Sequence, residues 1–480
     1  MAKHIIREPG RTYQEFSLLT GLTKRDCSIT TVGLETKLHD NLVLKIPLVG
    51  AAMMSVTGYE MALALGKEGG IGVLPVRLPV DVQADIVKRI KNYEMAFVQE
   101  PVTVRENVLI EEALREIKRH GHSKIPVCDI THKFVGMFDQ PHYWKTSAGP
   151  GDLVTKAMIP LKDVPYVCKP DITVDEAKQA MDERKENYLV VLNQDNTLVK
   201  LAFKKDEAKI KVAAAISTHE GWQQRVEANA EQGVDLISID TSDAFNEFTS
   251  DVVKHYKAMK LSAPLCAGNI ITYEGAMYLM SSGADIIKVG MSSGSICTTK
   301  REKSVGRAPM TALMDVDRAR KDFLKTTGKY VPIIADGGIT SSADMIIALT
   351  LADAVMLGGY LNQFYEAAGE KFNEHGKVTT DENAMKEVAT WGEGSERAQN
   401  LDRYGHSTRK TFFAEGEEGT KPYLGRLKPH LKQDLLKIRA ALVNAGCYTL
   451  ADLRKNAVIE LNSQFSNTVI GDTHNMRVKK

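Results

Sequence analysis

The sequence predicts an α/β protein: a (β/α)8 barrel into which a second, smaller domain is inserted. Three observations carry this. Eight short apolar runs recur, at 46–52, 70–75, 211–217, 234–240, 263–269, 284–290, 331–337 and 352–358. Their apolarity is continuous rather than alternating, as in strands buried on both faces of a parallel sheet. The segments between them carry helical spacing, and eight alternations match a closed barrel. Finally, the series is interrupted between its second and third runs by a stretch of different rhythm. A doubly wound sheet is the structural rival, since it uses the same alternation.

The helices are justified in turn. Asp81 is placed to cap a helix carrying Ile86, Val87 and Ile90. Trp222, Val226 and Ala230 form a stripe ended by Gly233; Ala276, Leu279 and Met280 form another, closed by Gly283. The strands end in small or polar residues: Gly50, Asp240, Asn269, Gly290, Asp336 and Gly358. In a barrel these ends share one face, where ligands bind.

The interruption contains a repeat at an offset of 64: Ile110, Ala113, Ile117, Ile125, Val127 and Val135 match Val174, Ala177, Met181, Leu189, Val191 and Val199. Each copy reads as an amphipathic helix and two strands joined by a polar turn, at 129–133 and 193–197. A unit this small must pair with its twin to bury a core. The plan is therefore 1–96 barrel, 97–210 paired repeats (about 99–156 and 157–210) and 211–480 barrel, with a loop at 288–300 and a flap at 388–425.

Composition excludes several classes. The 62 Lys+Arg against 61 Asp+Glu leave +1, which gives no electrostatic footprint for a nucleic-acid partner. The six cysteines (27, 128, 168, 266, 297 and 447) are too sparse for a disulfide framework. No apolar run is long enough to span a bilayer, and the first residues lack a signal-peptide pattern. A cytoplasmic protein with no membrane partner is expected.

Chemistry concentrates in three segments. Cys297 lies in a glycine/serine loop (288–299) leaving the sixth strand, and the gap from that strand to the next is about twice the usual spacing. Exposed backbone N–H groups favour a thiolate, so Cys297 is the candidate nucleophile; the other five cysteines read as structural. Glycine pairs follow the seventh and eighth strands, at Gly337-Gly338 and Gly358-Gly359. Loops at those two positions commonly hold phosphate in this fold, and Asp336 can accept from ribose hydroxyls. The polar, glycine-rich stretch from Thr390 to Gly419 lacks clear periodicity and reads as a lid.

The GSxC-Thr pattern at 294–298, the ADGG turn at 335–338, the glycine pair at 358–359 and the Arg403-Tyr404 lid together resemble the IMP dehydrogenase/GMP reductase family, in a divergent microbial form. The inserted repeat resembles a tandem CBS pair, a family that binds adenine nucleotides; here adenine or guanine nucleotides are the expected ligands. The resemblance covers nearly the whole chain. It implies IMP oxidation to xanthosine monophosphate, with NAD as the hydride acceptor. Cys297 would attack C2 of IMP, and Arg403 and Tyr404 would assist hydrolysis, with Thr299 and Glu415 as a second proton route. Ser295, Gly338, Gly358 and Gly359 would hold the phosphate, Asp336 the ribose, and backbone at Glu393 and Gly394 the base. Asp240, Thr241, Ser242 and Asn269 would line the dinucleotide side. Carbonyls of Ser292, Gly294 and Cys297 would bind K+. The implied assembly is a homotetramer, with octamers through the CBS pairs.

Four departures stand out. Met54 replaces an Asp, Thr390 a phosphate-contacting Tyr, Ser292 a loop glycine, and Ile470-Gly471-Asp472 a Glu-Gly-Gly that completes the cation site. Two alternatives remain open. GMP reductase shares the barrel, Cys loop and Thr–Glu pair, but uses NADPH, lacks the Arg-Tyr pair and seldom carries the insert. A degenerate, non-catalytic nucleotide sensor is the other.

Overall fold

In the computed structural model, residues 5–93, 97–120, 123–203, 210–291, 299–395 and 416–463 are described. All eight apolar runs form strands of one closed barrel: β1 (Leu48–Gly50), β2 (Ile71–Leu74), β3 (Val212–Ile216), β4 (Leu236–Ile239), β5 (Leu265–Ile270), β6 (Ile286–Val289), β7 (Ile333–Asp336) and β8 (Ala354–Leu357). Every neighbour pair is parallel, and β8 closes on β1. The doubly wound alternative is thereby excluded.

Helices follow the strands, including α1 (Tyr59–Lys67), α2 (Val80–Lys91), α3 (Trp222–Glu231), α4 (Glu247–Ala258), α5 (Tyr273–Ser282), α6 (Pro309–Thr327) and α7 (Ser342–Leu349). The expected glycine stops are present: Gly233 and Gly283 adopt φ of +78° and +107°. Two helix expectations need correction. Asp81 lies inside the first turn of α2, one residue past its start, so it acts on the helix dipole and not as a cap. The third inward residue of α3 is Asn229, not Ala230. Its Nδ2 donates to Gln83 Oε1 at 2.8 Å, so a bonded amide nitrogen replaces the methyl the apolar stripe suggested.

Inward positions alternate along each strand. Val49, Ile71 and Val73, Ala213 and Ala215, Leu236, Cys266, Ile286, Ile334, and Ala354 and Met356 pack in the interior. A hairpin, Thr36–His39 with Leu42–Leu44, adds Leu38, Leu42 and Leu44 to the same cluster.

Asn92–Lys209 is a separate compact unit. It holds two four-stranded sheets, each built on one helix–strand–strand copy: Ile110–His120, Lys124–Cys128 and Phe134–Asp139; then Val174–Arg184, Tyr188–Leu192 and Leu198–Phe203. The repeat shows in the backbone, since His132 and Asn196 in the two polar turns both have left-handed φ, +64° and +66°. The edge strands cross over: Phe97–Val98, before the first copy, joins the second copy's sheet. Ile159–Pro160, before the second copy, joins the first copy's sheet. Phe134 and Met137 pack with Tyr188, Val190 and Leu201 in a core shared by both copies.

Candidate active site

Strand periodicity makes the barrel polar toward the strands' C-terminal ends. Ile286 and Ile334 point inward, so Lys288 and Asp336, two residues on, do too. Lys288 is about 1% exposed and donates from Nζ to Asp240 Oδ1 at 2.9 Å. Asn269 Nδ2 donates to Asp336 Oδ2 at 2.8 Å and to the Gly290 carbonyl at 2.6 Å. The Asn269 Oδ1 atom is buried and has no partner among the described residues. Gly268 is required beside Lys288, because an added Cβ would lie 2.5 Å from the Lys288 carbonyl oxygen.

The charges follow. Burial pushes the Asp336 carboxyl above its usual range, only partly offset by Lys288 and Asn269. Burial opposes the Lys288 charge, but Asp240 and Asp336 outweigh it and hold the ammonium above the ordinary lysine range. One cation thus serves two carboxyl groups. Such a site suits hydroxyl donors such as ribose.

Thr241 shares this end: its N–H and Oγ1 both reach the Gly268 carbonyl at 3.3 Å, and its own carbonyl accepts from Asn269 N–H at 3.1 Å. Ser242 is exposed. After β7, Gly337 and Gly338 take φ of +86° and +74°, a turn that side chains resist. The following helix α7 is capped by Ser341, whose Oγ accepts from Asp344 N–H at 3.2 Å. After β8, the Gly359 carbonyl accepts from Lys421 Nζ at 3.1 Å.

The described ends of the 388–425 segment form a ribbon, which its composition did not suggest. Glu387–Trp391 and Glu418–Pro422 pair antiparallel, from Glu387↔Pro422 to Trp391↔Glu418. Glu393 is held by its side chain as well as its backbone: one carboxylate oxygen accepts from Met54 N–H at 2.8 Å, and the other pairs with Arg77 Nε at 2.9 Å. Arg77, whose side chain is 1% exposed, also donates to the Glu393 carbonyl. Met54, where an acid was expected, packs against Ala389 and Trp391.

Cys297, Ser295, Ser292, Gly294, Arg403, Tyr404, Glu415 and Ile470-Gly471-Asp472 lie outside the described residues, as does the side chain of Thr299. The other five cysteines are free thiols; burial pushes Cys266 up to about 12 and Cys128 up to about 11, so neither is poised to react. Sequence reasoning missed Lys288, Arg77 and Lys421. A buried Lys two residues past an inward Ile was the available signal for the first. Arg77 and Lys421 act on partners far away in the chain and leave no local pattern.

Residues 10–470 match the family model described as the IMP dehydrogenase/GMP reductase domain. An inosine-5′-monophosphate dehydrogenase of Tritrichomonas foetus is 34% identical, over 100% of this chain and 98% of its own. One from Aquifex aeolicus is 32% identical, over 89% of this chain and 88% of its own. A solved GMP reductase of Trypanosoma brucei, in complex with guanosine 5′-monophosphate, superposes with a TM-score of 0.69 at 22% identity, covering 98% of each chain. The fold is thus shared along nearly the full length. No described helix is long and apolar enough to cross a membrane. With a family model spanning nearly its whole length and relatives above 30% identity along it, the chain belongs to the IMP dehydrogenase/GMP reductase family of oxidoreductases.

Proposed function

We propose that the chain oxidises IMP to xanthosine monophosphate. The observation that carries this reading is end-to-end identity of 34% with an IMP dehydrogenase, joined to the Arg403-Tyr404 pair in the lid. The Cys297 thiolate adds to C2 of the base, and the C2 hydride departs, leaving a thioimidate. NAD+ is the oxidant, supplying the hydride acceptor. Water then adds at C2 and the thiol leaves, giving the product. Arg403 with Tyr404, or Thr299 with Glu415, takes the water's proton. A guanidinium is a poor base, so Arg403 needs a dry site for that task.

The described residues support the ligand-holding roles. Asp336 offers acceptors to the substrate ribose, and Asp240, with Thr241, Ser242 and Asn269, to the dinucleotide. Lys288 bonds Asp240, and its charge opposes the protonation that burial favours at Asp336. Ser295, Gly338, Gly358 and Gly359 hold the phosphate, and Glu393 and Gly394 face the base. The insert is proposed as a CBS pair taking adenine or guanine nucleotides, and the assembly as a homotetramer. K+ at Ser292, Gly294 and Cys297 is the proposed metal; the departures at Ser292 and 470–472 predict a weak dependence, read by exchanging K+ for Na+.

The test is incubation with IMP plus NAD+ and, separately, GMP plus NADPH, following absorbance of the reduced cofactor. Turnover only in the second mixture would overturn the assignment. Cys297→Ala is expected to abolish hydride transfer. Arg403→Ala is expected to leave a hydride burst but slow hydrolysis by about 100-fold or more, trapping the adduct; equal loss of both steps contradicts the lid role.

A further inference from the structure

The ribbon of Glu387–Trp391 and Glu418–Pro422 reaches the glycine pair after β8 through Lys421. In the antiparallel ladder Val388 faces Lys421 and Thr390 faces Gly419. Residues facing each other share a face of the ribbon, and so do residues two apart, so Thr390 and Lys421 are diagonal neighbours, roughly 7–8 Å apart at the backbone. Gly419 between them has no side chain, and a Cβ placed there would meet nothing within 4 Å. The face is open at that point.

Among the described residues, two polar groups on this face are left with unused bonding capacity. Thr390 is 4% exposed, yet its Oγ1 has no hydrogen-bond partner among the described residues. A buried hydroxyl left unpaired is costly, so this one calls for a partner. Lys421 is half-buried, and its Nζ donates to the Gly359 carbonyl at 3.1 Å. It has no carboxylate partner among the described residues, and burial lowers its pKa unopposed. An ammonium has three protons, so donors remain after the Gly359 contact. Half-buried Lys91 and Lys211, by contrast, both pair with Asp235.

We propose that Lys421, assisted by the Thr390 hydroxyl, binds the phosphate of the mononucleotide substrate. A monoester dianion at the Gly358-Gly359 turn would supply the missing counter-ion and the missing partner together. A charge-assisted bond of this kind adds affinity that backbone N–H groups alone do not. The inference rests on the reading that a mononucleotide seats its phosphate at the loops after β7 and β8. The competing role is purely structural, with Lys421 merely tethering the Gly359 loop.

The experiment compares the full-length protein with Lys421→Met, Lys421→Arg and Thr390→Val. Steady-state rates are taken over a range of IMP, and binding of IMP and of inosine is titrated by calorimetry. Lys421→Met is expected to raise KM for IMP about 10- to 100-fold, with kcat changed less than about threefold. Inosine, which lacks the phosphate, should bind Lys421→Met as it binds the parent. Lys421→Arg should recover most of the loss, and Thr390→Val should cost about 3- to 10-fold. IMP affinity within twofold of the parent, or equal losses for IMP and inosine, overturns the proposal while the IMP dehydrogenase reading stands. If the parent turns over neither substrate pair, that reading falls instead. Calorimetry with inorganic phosphate then decides: weaker binding by Lys421→Met supports the anion site, and unchanged binding refutes it.

Discussion

The two ends of the barrel both bury charge, and they do so in opposite ways. At the N-terminal end, Asp353 precedes β8. It accepts from Arg320 at 2.8 Å, from Tyr330 Oη at 2.8 Å and from Ile333 N–H at 2.8 Å, and pairs with Arg454 at 3.1 Å. Arg320 also pairs with Asp317 and donates to the Leu351 carbonyl at 2.9 Å. Two guanidiniums and the Lys321 ammonium meet two carboxylates, and the planar donors bond protein acceptors. At the other end a single ammonium, Lys288, stands against Asp240 and Asp336, with the Asn269 oxygen spare. At one end every carboxylate has its cations; at the other a single cation faces two acids and acceptors are spare. The contrast separates charge buried for the fold from charge buried for a ligand.

The sharpest way to break this contrast is Arg320→Met. It removes the buried guanidinium that Asp317 and Asp353 share, leaving them only Lys321 and Arg454, so stability should fall by about 3 kcal/mol, read as the urea midpoint. Turnover by the remaining folded protein should stay within about threefold. A variant that keeps its stability but loses activity would place the functional end on the wrong side.

Lys288→Met should have a smaller effect on stability and a larger one on activity. The two acids then face each other without a cation, and one protonates. At neutral pH kcat/KM should drop by roughly tenfold or more, because a protonated acid is a poorer ribose acceptor. The acid limb of the pH–rate profile should move upward and activity should recover as pH rises. An unmoved acid limb would show that Lys288 does not set these acids.

The smallest effect is expected from Asp336→Asn, and it runs the other way for stability. Burial raises this carboxyl in the folded chain. Below its unfolded value, near 3.9, both states are protonated and the group costs nothing. Above that value the folded state pays increasingly to ionise it, and the cost is complete once pH passes the folded value. Asp336→Asn should therefore raise Tm by roughly 1–3 °C at pH 7, with the gain vanishing below about pH 4, while KM for the nucleotide rises. A Tm that falls at neutral pH would mean that Asp336 stabilises the fold, as Asp353 does.

Much of this was legible in the chain. The eight strands could be read because each is buried on both faces and so is apolar without a break. Gly233 and Gly283 could be read because only left-handed backbone ends those helices cleanly. Asp240, Asn269 and Asp336 were marked by standing where apolar runs stop. What could not be read depended on partners far off in sequence. Asn229 looks wrong for a buried face until Gln83 is set against it. Arg77 has no local reason to be buried, and acquires one only from Glu393, more than three hundred residues later.

The sequence by itself determined the alternation of strand and helix, the repeat that interrupts it, and the residue types on which the family's chemistry depends. Only the tertiary structure decided which polar residues stand together. Barrel closure brings β4 to β7 side by side, and the period of two turns Lys288 and Asp336 inward with the apolar residues before them. It likewise set Lys421 against Gly359 and exchanged edge strands between the two repeats. Periodicity fixes which face a side chain takes along its own strand, whereas its neighbours across the barrel follow from closure, which no local pattern encodes.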